Sequence, residues 1–297
     1  MTAIARTPLQ SLGENAVLKR ILSCLSHAPA PPEGPGDDCA VVARNQEWDT
    51  LLKTDVVVEN VHFTPDTEPR LIGRKALGRA VSDIAAMGGL PEQALITILT
   101  HKTRPVELLE GIYRGIDEMA SLFNISVCGG ETSSIPYDGL IINVALTGRV
   151  EHGQAVLRSG GAAGDIIFVS GRLGGSFPSG HHLDFIPRVR EARELLRLGL
   201  RPTAMMDLSD GLGADLPRLA QASACGFVLN ESTIPCNPGC SVEQAINDGE
   251  DYELLLTLSP KDAESLHRLQ SFALYPIGKL TETPQKTCCG GWQHFQS

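Results

Sequence analysis

The 297-residue sequence lacks the features of several common protein classes. It has no apolar run near the roughly 18 residues of a membrane span, and its N-terminal stretch has no apolar core of a secretory signal. Acidic residues outnumber basic ones: the sequence has 25 Lys and Arg and 35 Asp and Glu, which gives a formal net charge of -10. Nucleic-acid binding requires a basic surface. We therefore expect a cytoplasmic protein that contacts neither a membrane nor a nucleic acid.

The eight cysteines include no C-x-x-C pair. In a long chain without a signal, this usage predicts reduced thiols. Cys236 and Cys240 bracket a Pro-Gly turn, and Cys288 and Cys289 are adjacent. No well-spaced histidine or second cysteine pair accompanies them, so the pattern favours small buried apolar residues for most of them over a structural zinc site.

The composition, with 42% hydrophobic and 20% charged residues, is that of a globular protein. The length predicts two domains, which we divide into residues 1–150 and 151–297. Both parts mix strands with few helices, which favours an α+β fold over a doubly wound α/β sheet. Apolar periodicity predicts helices over 12–27, 68–89, 105–122, 187–199, the stretch after 211, and about 260–270. Gly88 and Gly89 are expected to stop the helix over 68–89. It predicts strands over 51–63, 93–100, 126–132, 140–150, 165–170, 204–211, 226–230, 252–258 and 272–278, with a loop over 171–185.

Carboxylates stand at glycine turns, strand ends and one apolar helix. They are Asp37, Asp38, Asp55, Asp83, Glu131, Asp207, Asp210, Glu250 and Asp251. Asp83 lies in a helix of apolar neighbours, where an unpaired carboxylate would cost several kcal/mol and therefore needs a cation or a strong donor. A structural ion pair with Arg79, one turn earlier, is the alternative to a metal. Asp210 could instead cap the following helix, and Asp37 could be a turn residue.

Oxygen ligands indicate magnesium or calcium rather than zinc, and no EF-hand spacing is present. Magnesium commonly bridges a few carboxylates to substrate phosphates, so the scattered acids predict a nucleotide-phosphate site with two or more magnesium ions. Neither G-x-x-x-x-G-K-[ST] nor a G-x-G-x-x-G after a strand occurs. Glycine-rich turns at 34–38, 127–132 and 158–165 could present N–H groups to phosphate oxygens. Arg158 could add a bidentate contact or be an exposed structural arginine.

A series of motifs follows in order along nearly the whole chain. They are G-D-D-C-A (36–40), K-T-D-x-x-V-E-x-V-H-F (53–63), S-D-I-A-A-M-G-G (82–89), G-G-E-T (129–132), L-R-S-G (157–160), D-L-S-D-G-L (207–212), G-E-D-Y-E-L (249–254) and G-W-x-H-F (291–295). Together they resemble the thiamine-monophosphate kinase family, within a superfamily that resembles aminoimidazole ribonucleotide synthetase. The resemblance implies a two-domain α+β fold of that superfamily, whose N-terminal domains pair into a barrel in a homodimer, with nucleotide near the interface.

The resemblance also implies the reaction: direct, in-line transfer of a phosphoryl group from ATP to thiamine monophosphate, giving thiamine diphosphate. Several magnesium ions would be held by Asp38, Thr54, Asp55, Asp83, Glu131, Asp207 and Asp210. ATP would be contacted by Tyr113, Gly130, Glu131, Arg158 and Ser209. Thiamine monophosphate would be contacted by His62, Glu250 and Trp292.

Physical chemistry agrees with these implied roles. Thiamine carries a cationic thiazolium ring, to which Trp292 could give a cation–π contact and whose charge Glu250 could offset. A neutral His62 could bond a phosphate or a ring. Each has a structural alternative: a domain-edge Trp, a surface acid and a core histidine. No catalytic base is expected, since the accepting phosphate oxygen is already ionised, so positioning and charge neutralisation carry the rate.

Three positions depart from the commonest family pattern. Glu131 stands where Asp is frequent, and Asn60 replaces a frequent Gly. Lys53 stands where a Ser or Thr often donates a metal ligand, and it could instead offset charge among the acids. Two other hypotheses remain open at this point: another ATP-dependent synthetase of the superfamily, and a non-catalytic protein that binds a nucleotide or a thiamine phosphate.

Overall fold

The computed structural model describes residues 8–12, 14–26, 29–268, 271–283 and 291. Trp292 and the cysteines at 288 and 289 lie outside these residues. Two five-stranded sheets organise the fold, one in each half of the chain. Among the described residues, no helix is long and apolar enough to cross a membrane.

The first sheet and its helices occupy the N-terminal half. Its strands are β1 (Ala40–Ala43), β2 (Trp48–Val58), β3 (Leu90–Thr100), β4 (Ser126–Ser134) and β5 (Leu140–Glu151), and its helices are α1 (Glu14–Leu22), α2 (Pro69–Ala86) and α3 (Val106–Phe123). The strand order is β1-β2-β5-β3-β4. Only β3 and β4 pair in parallel.

Helices α2 and α3 pack closely because glycines remove the side chains between them. A Cβ at Gly73 would lie 1.9 Å from the Ile112 carbonyl oxygen, and one at Gly115 would lie 1.8 Å from that of Arg70. Helix α2 begins at Pro69 and is followed by Gly88, whose φ of +71° suits a helix end. The glycines that were expected to stop this helix therefore do so.

Alternation along β2 divides its residues between two faces. Leu51 and Val57 are buried on the face towards α2, whereas Leu52 and Val56 are exposed on the other. The same period puts Lys53 and Asp55 on the α2 side, and Thr54 on the open side. The open face is thus partly apolar.

The second sheet and six helices form the C-terminal half. Its strands are β6 (Ile166–Val169), β7 (Ala204–Asp207), β8 (Gly226–Leu229), β9 (Leu254–Leu258) and β10 (Tyr275–Thr281), all antiparallel to their neighbours in the order β7-β9-β6-β10-β8. The helices are α4 (Ser176–Ser179), α5 (His181–Asp184), α6 (Val189–Arg197), α7 (Leu212–Ala222), α8 (Val242–Asn247) and α9 (Pro260–Glu264). Helix α2 also packs against α5, α6 and β7, so it contacts both halves.

Most predicted elements are present, with differences that have local causes. The expected loop over 171–185 was wrong, because it contains α4 and α5, whose four residues each are too short for a periodic pattern. Strand β9 begins only at Leu254, since Tyr252 has a φ of 52°. The predicted helix near 260–270 ends at Glu264 and continues as a 3-10 turn to Arg268.

Three further expectations compare with the structure as follows. The mixed architecture of two sheets with helices confirms the fold class. The domain division at residue 150 lies at the end of β5 and stays a prediction. Of the six described cysteines, Cys39 is buried, Cys24 and Cys128 are exposed, and Cys225, Cys236 and Cys240 are half-buried, so the prediction that most cysteines are buried was wrong.

Candidate active site

Three carboxylates from distant parts of the chain meet where α2 contacts both halves. Asp38 follows the turn at Gly36, Asp83 lies in the last turns of α2, and Asp207 ends β7. One oxygen of each lies within 4.8 Å of the others, and all three residues are buried. We call these three the acidic cluster. An all-carboxylate oxygen donor set of this size fits magnesium.

Each member of the acidic cluster has a partner on the protein. The Lys53 ammonium lies 2.8 Å from Oδ1 of Asp83. Arg158 donates to Oδ1 of Asp38 at 2.5 Å, and Ser82 Oγ donates to Asp207 at 2.7 Å. The structural ion pair considered for Asp83 therefore exists, but with Lys53 rather than with the neighbouring arginine of its own helix.

Burial dominates the electrostatics of this region. Burial raises the pKa of Asp83 well above its usual value, although the Lys53 ammonium acts in the opposite direction. Burial also raises the pKa of Asp207 to about 6, and the charge of Asp38 adds to that effect. For Asp55, burial acts to raise the pKa, but Arg79 and Lys53 outweigh it, so the pKa is lowered. Ionising all of these buried carboxyl groups is therefore unfavourable unless cations bind beside them.

A cavity of about 570 Å³ opens beside the acidic cluster. Its wall includes Gly36, Lys53, Asp55, Arg79, Asp83, Arg158, Asp207, Ser209, Asp210, Asp215 and Arg218, together with Glu14 and Leu18 of α1. We call it the large cavity. Its mixture of acids and arginines, with Gly36 in its wall, suits a polyphosphate held partly through cations and partly by guanidinium groups.

Asp210 lies in this wall as an ion-pair partner rather than as a helix cap. Arg218 bonds both Asp210 and Asp215, the latter at 2.8 Å. The cap position of α7 is Gly211, and no side chain bonds the helix start. The capping alternative for Asp210 was therefore wrong.

A second cavity, of about 140 Å³, adjoins the first. It is lined by Val61, His62, Phe177, Asp248 and Glu250, and it shares Arg79, Ser209, Asp210 and Tyr252 with the large cavity. We call it the small cavity. Four residues line both spaces, so the two cavities are adjacent along this common wall.

Lys75 of α2 contacts two residues that line the small cavity, His62 and Glu250. It is fully buried, donates to the His62 carbonyl oxygen at 2.6 Å, and is ion-paired with the Glu250 carboxylate. Burial lowers the pKa of Lys75 to about 8, although the charge of Glu250 opposes the shift. Nδ1 of His62 accepts from the Val58 N–H at 3.0 Å. A neutral His62 therefore carries its proton on Nε2.

The backbone around Glu250 is held in a conformation that ordinary residues rarely adopt. Glu250 and Tyr252 have φ values of 56° and 52°. Their N–H groups donate to the carbonyls of Ser209 and Leu208 at 2.7 and 2.8 Å. This pairing fixes the Glu250 segment against the turn after β7, and such strain commonly marks a functional site.

The structure brings together most of the predicted site residues. Asp38, Asp55, Asp83, Asp207, Asp210, Arg158 and Ser209 lie in the acidic cluster or the wall of the large cavity, and His62 and Glu250 line the small one. Their roles stay predictions.

Four predicted residues lie elsewhere in the single chain. Thr54 is on the open face of the sheet, where it bonds Asn143 at 3.0 Å. Gly130 and Glu131 are on the exposed edge strand β4, three strand positions away from β2, or about 14 Å at ordinary strand spacing. Tyr113 is 40% exposed on α3. Trp292 lies outside the described residues.

Sequence reasoning gave no role to Lys75, Phe177 or Arg218. Lys75 carries a signal that could have been used, because a lysine within a predicted apolar helix needs a buried acceptor. Phe177 and Arg218 carry none, since a single phenylalanine in a loop and an arginine on an amphipathic helix are ordinary.

Comparison with known proteins identifies the family. The AIR synthase related protein, N-terminal domain, matches residues 36–150, and the AIR synthase related protein, C-terminal domain, matches residues 162–288. The thiamine-monophosphate kinase of Bacillus subtilis is 31% identical, over 88% of both chains. This chain belongs to the thiamine-monophosphate kinase family. The resemblance predicted from the motifs is confirmed, and so is a fold of two AIR synthase-type domains.

Two further comparisons agree with this family. The thiamine-monophosphate kinase of Rhodopirellula baltica is 34% identical, over 79% of this chain and 78% of that protein. A solved structure described as AaThiL complexed with AMPPCP and TMP superposes with a TM-score of 0.86 at 29% identity, over 98% of this chain and 100% of that one. The similarity to this family thus extends over both halves of the chain.

Proposed function

We propose that this protein transfers the terminal phosphoryl group of ATP to thiamine monophosphate, giving thiamine diphosphate. One observation carries the proposal: a large acidic and arginine-lined cavity and a small cavity share the wall formed by Arg79, Ser209, Asp210 and Tyr252. A triphosphate in the first and a phosphate ester in the second would meet at that wall. The family to which the chain belongs supports the same pair of substrates.

The donor nucleotide would occupy the large cavity. Magnesium would be held by Asp38, Asp83 and Asp207, with Asp55 and Asp210 beside them, and when bound it supplies positive charge against the phosphates. Arg158 and Ser209 offer donors for phosphate oxygens. The chain's own groups thereby fix the triphosphate and leave its terminal phosphorus directed towards the common wall.

The acceptor would occupy the small cavity with its phosphate at the common wall. Phe177 presents a 45% exposed ring, which suits the face of a thiazolium cation, and Glu250 supplies opposite charge. His62 lines the same cavity. Gly291 packs against the turn after β7, since a Cβ there would lie 2.7 Å from the Asp210 carbonyl oxygen. The proposed substrate contact by Trp292 lies outside the described residues.

No described side chain is needed as a base in this reaction. The attacking atom is an oxygen of a phosphate monoester, which is ionised at neutral pH. The protein therefore acts by holding donor and acceptor in line and by offsetting negative charge, without a covalent phosphoenzyme.

A homodimer is part of the proposal. The open face of the first sheet exposes four apolar side chains, Val42, Leu52, Val56 and Leu95. Pairing of two such faces would bury them, and it would allow Gly130 and Glu131 of the exposed strand β4 to approach a nucleotide. Light scattering of the purified chain should give twice the chain mass, and Leu95→Arg should give the single mass. A wild-type monomer with full activity would contradict the dimer.

Since ATP is the co-substrate, we place the enzyme in the cytoplasm.

The assay for the proposed function supplies ATP, magnesium and thiamine monophosphate and measures both products. We expect ADP and thiamine diphosphate in equal amounts, and neither product when magnesium is chelated. ADP formation with other phosphate-bearing or amide acceptors but not with thiamine monophosphate would instead support another synthetase of the superfamily. Binding of both ligands without turnover would support a non-catalytic binding protein.

A further inference from the structure

Lys53 brings a fixed positive charge into the acidic cluster. Its ammonium lies 2.8 Å from Oδ1 of Asp83, and it lines the large cavity. The side chain of Lys53 is 21% exposed, and that of Asp83 is 9% exposed. A cation therefore already stands among the carboxylates that fit magnesium.

The strand geometry keeps this charge where it is. Lys53 and Asp55 are two residues apart on β2, so both point to the face that α2 covers. Thr54, which lies between them in sequence, points to the open face instead. A rotation of the Lys53 side chain can move its ammonium within the large cavity but cannot take it to the other side of the sheet.

The charges around Asp83 show what Lys53 contributes. Arg158 pairs with Asp38, and Arg79 pairs with Asp55 at 3.2 Å. Lys53 is the cation that contacts Asp83 among the described ion pairs. Without it, the region would hold the same carboxylates with one positive charge fewer, and a divalent ion would bind more strongly there.

We propose that Lys53 acts as a built-in counter-cation that takes the place of one divalent ion in the acidic cluster. The enzyme would then assemble its nucleotide site with one metal ion fewer than it would with a neutral, ligating side chain at this position. Lys53 is thus a positioning residue: its ammonium, 2.8 Å from Oδ1, holds the Asp83 carboxyl group in place before nucleotide arrives. This inference rests on the proposed magnesium-dependent kinase.

The test counts bound ions and does not depend on turnover. Mn²⁺ serves as the probe, and electron paramagnetic resonance measures free Mn²⁺ as it is titrated into the full-length protein with saturating AMPPCP. We expect Lys53→Ser, which supplies a hydroxyl ligand and no charge, to bind one Mn²⁺ more per chain than the wild type. Lys102→Met, at an exposed lysine in the loop after β3, is the control and should match the wild type.

A second variant tests whether the charge of Lys53 affects divalent-ion binding or only pairs with Asp83. Lys53→Met keeps the length of the side chain but removes its charge, and in metal-free buffer it should melt at a lower temperature than the wild type. Mn²⁺ without nucleotide should bind this variant at least about tenfold more tightly than it binds the wild type, because one opposing charge is gone.

Two results would overturn the inference. Equal ion counts for the wild type and Lys53→Ser would mean that the lysine replaces no ion. Equal Mn²⁺ affinity for the wild type and Lys53→Met would mean that its charge is not felt at the site. If none of the proteins binds Mn²⁺ with AMPPCP, the proposed magnesium dependence fails as well, so the two failures are distinguishable.

Discussion

Replacing Phe177 tests how the enzyme would recognise a cationic ring. The Phe177 ring lines the small cavity and stacks on His182, with ring centroids 4.0 Å apart and an angle of 14° between the planes. His182 is buried, and burial lowers its pKa, so this stack holds the phenyl ring in place as a neutral platform. The free part of the ring would then face the thiazolium of thiamine monophosphate.

The size of the effect follows from the exposure of the ring. A cation–π contact contributes about 0.5–1 kcal/mol at an exposed site and about 2 kcal/mol when desolvated. Phe177 is 45% exposed, and the Lys75 ammonium already lies 5.3 Å from its centroid. A value near 1 kcal/mol is therefore appropriate, which corresponds to roughly a fivefold change in affinity.

The assay compares Phe177→Leu with Phe177→Tyr by steady-state kinetics. Phe177→Leu keeps apolar bulk but removes the ring, and we expect KM for thiamine monophosphate to rise roughly fivefold, with KM for ATP unchanged. Phe177→Tyr keeps the ring and should stay near the wild type. An analogue with a neutral ring in place of the thiazolium should show no difference between Phe177→Leu and the wild type. A wild-type KM for Phe177→Leu with the cationic substrate would refute the reasoning.

Three further predictions concern the buried charges. Asp83→Asn, or separately Asp55→Asn, should remove most turnover while the melting curve stays cooperative, because each loses a carboxylate of the phosphate site at constant volume; normal rates would contradict that role. Lys75→Met should lower the free energy of unfolding in urea by about 2–4 kcal/mol, since Glu250 loses its buried partner. Adding Glu250→Gln to Lys75→Met should recover part of that loss, and purely additive losses would argue against the coupling. Asp251→Asn should remove one contribution to the pH dependence of stability. Burial raises the pKa of Asp251 to about 7, so this carboxyl group lowers wild-type stability by at most about 4 kcal/mol as pH rises from about 4 to about 7. The variant should lack that part of the decline and keep the part due to Asp207, whose pKa burial raises to about 6. Unfolding curves at several pH values measure the difference, and parallel pH profiles would refute it.

The sequence predicted helices and strands well where they are long and have a clear hydrophobic periodicity. Helix α2 was expected from its apolar residues and its terminal glycines, and Asp83 was singled out as a charge in an apolar helix. The resemblance, however, implies magnesium-binding roles for both Thr54 and Asp55, although the period of a strand sends neighbouring side chains to opposite faces. In the single chain they do lie on opposite faces of β2.

Contacts between segments that are distant in the chain could not be predicted from the sequence, for a physical reason. The pairing of Lys75 with Glu250 joins residues 175 positions apart, and no local rule specifies it. The small cavity depends on it, together with the left-handed backbone at Glu250 and the two short helices near Phe177. These features arise from tertiary packing, so motif spacing could indicate their chemistry but not their arrangement.

One face of α2 links the whole candidate site. Lys75, Arg79 and Asp83 follow at intervals of four residues, so they lie along one side of the helix. The first supports the small cavity, the second lies in the common wall, and the third belongs to the acidic cluster. Eight residues of α-helix span about 12 Å, which is a suitable length from the ring end of an acceptor to the metal-binding end of a triphosphate. A rigid helix would therefore fix the separation between the two proposed ligands, and the glycines that seat it against α3 would serve the chemistry as well as the fold.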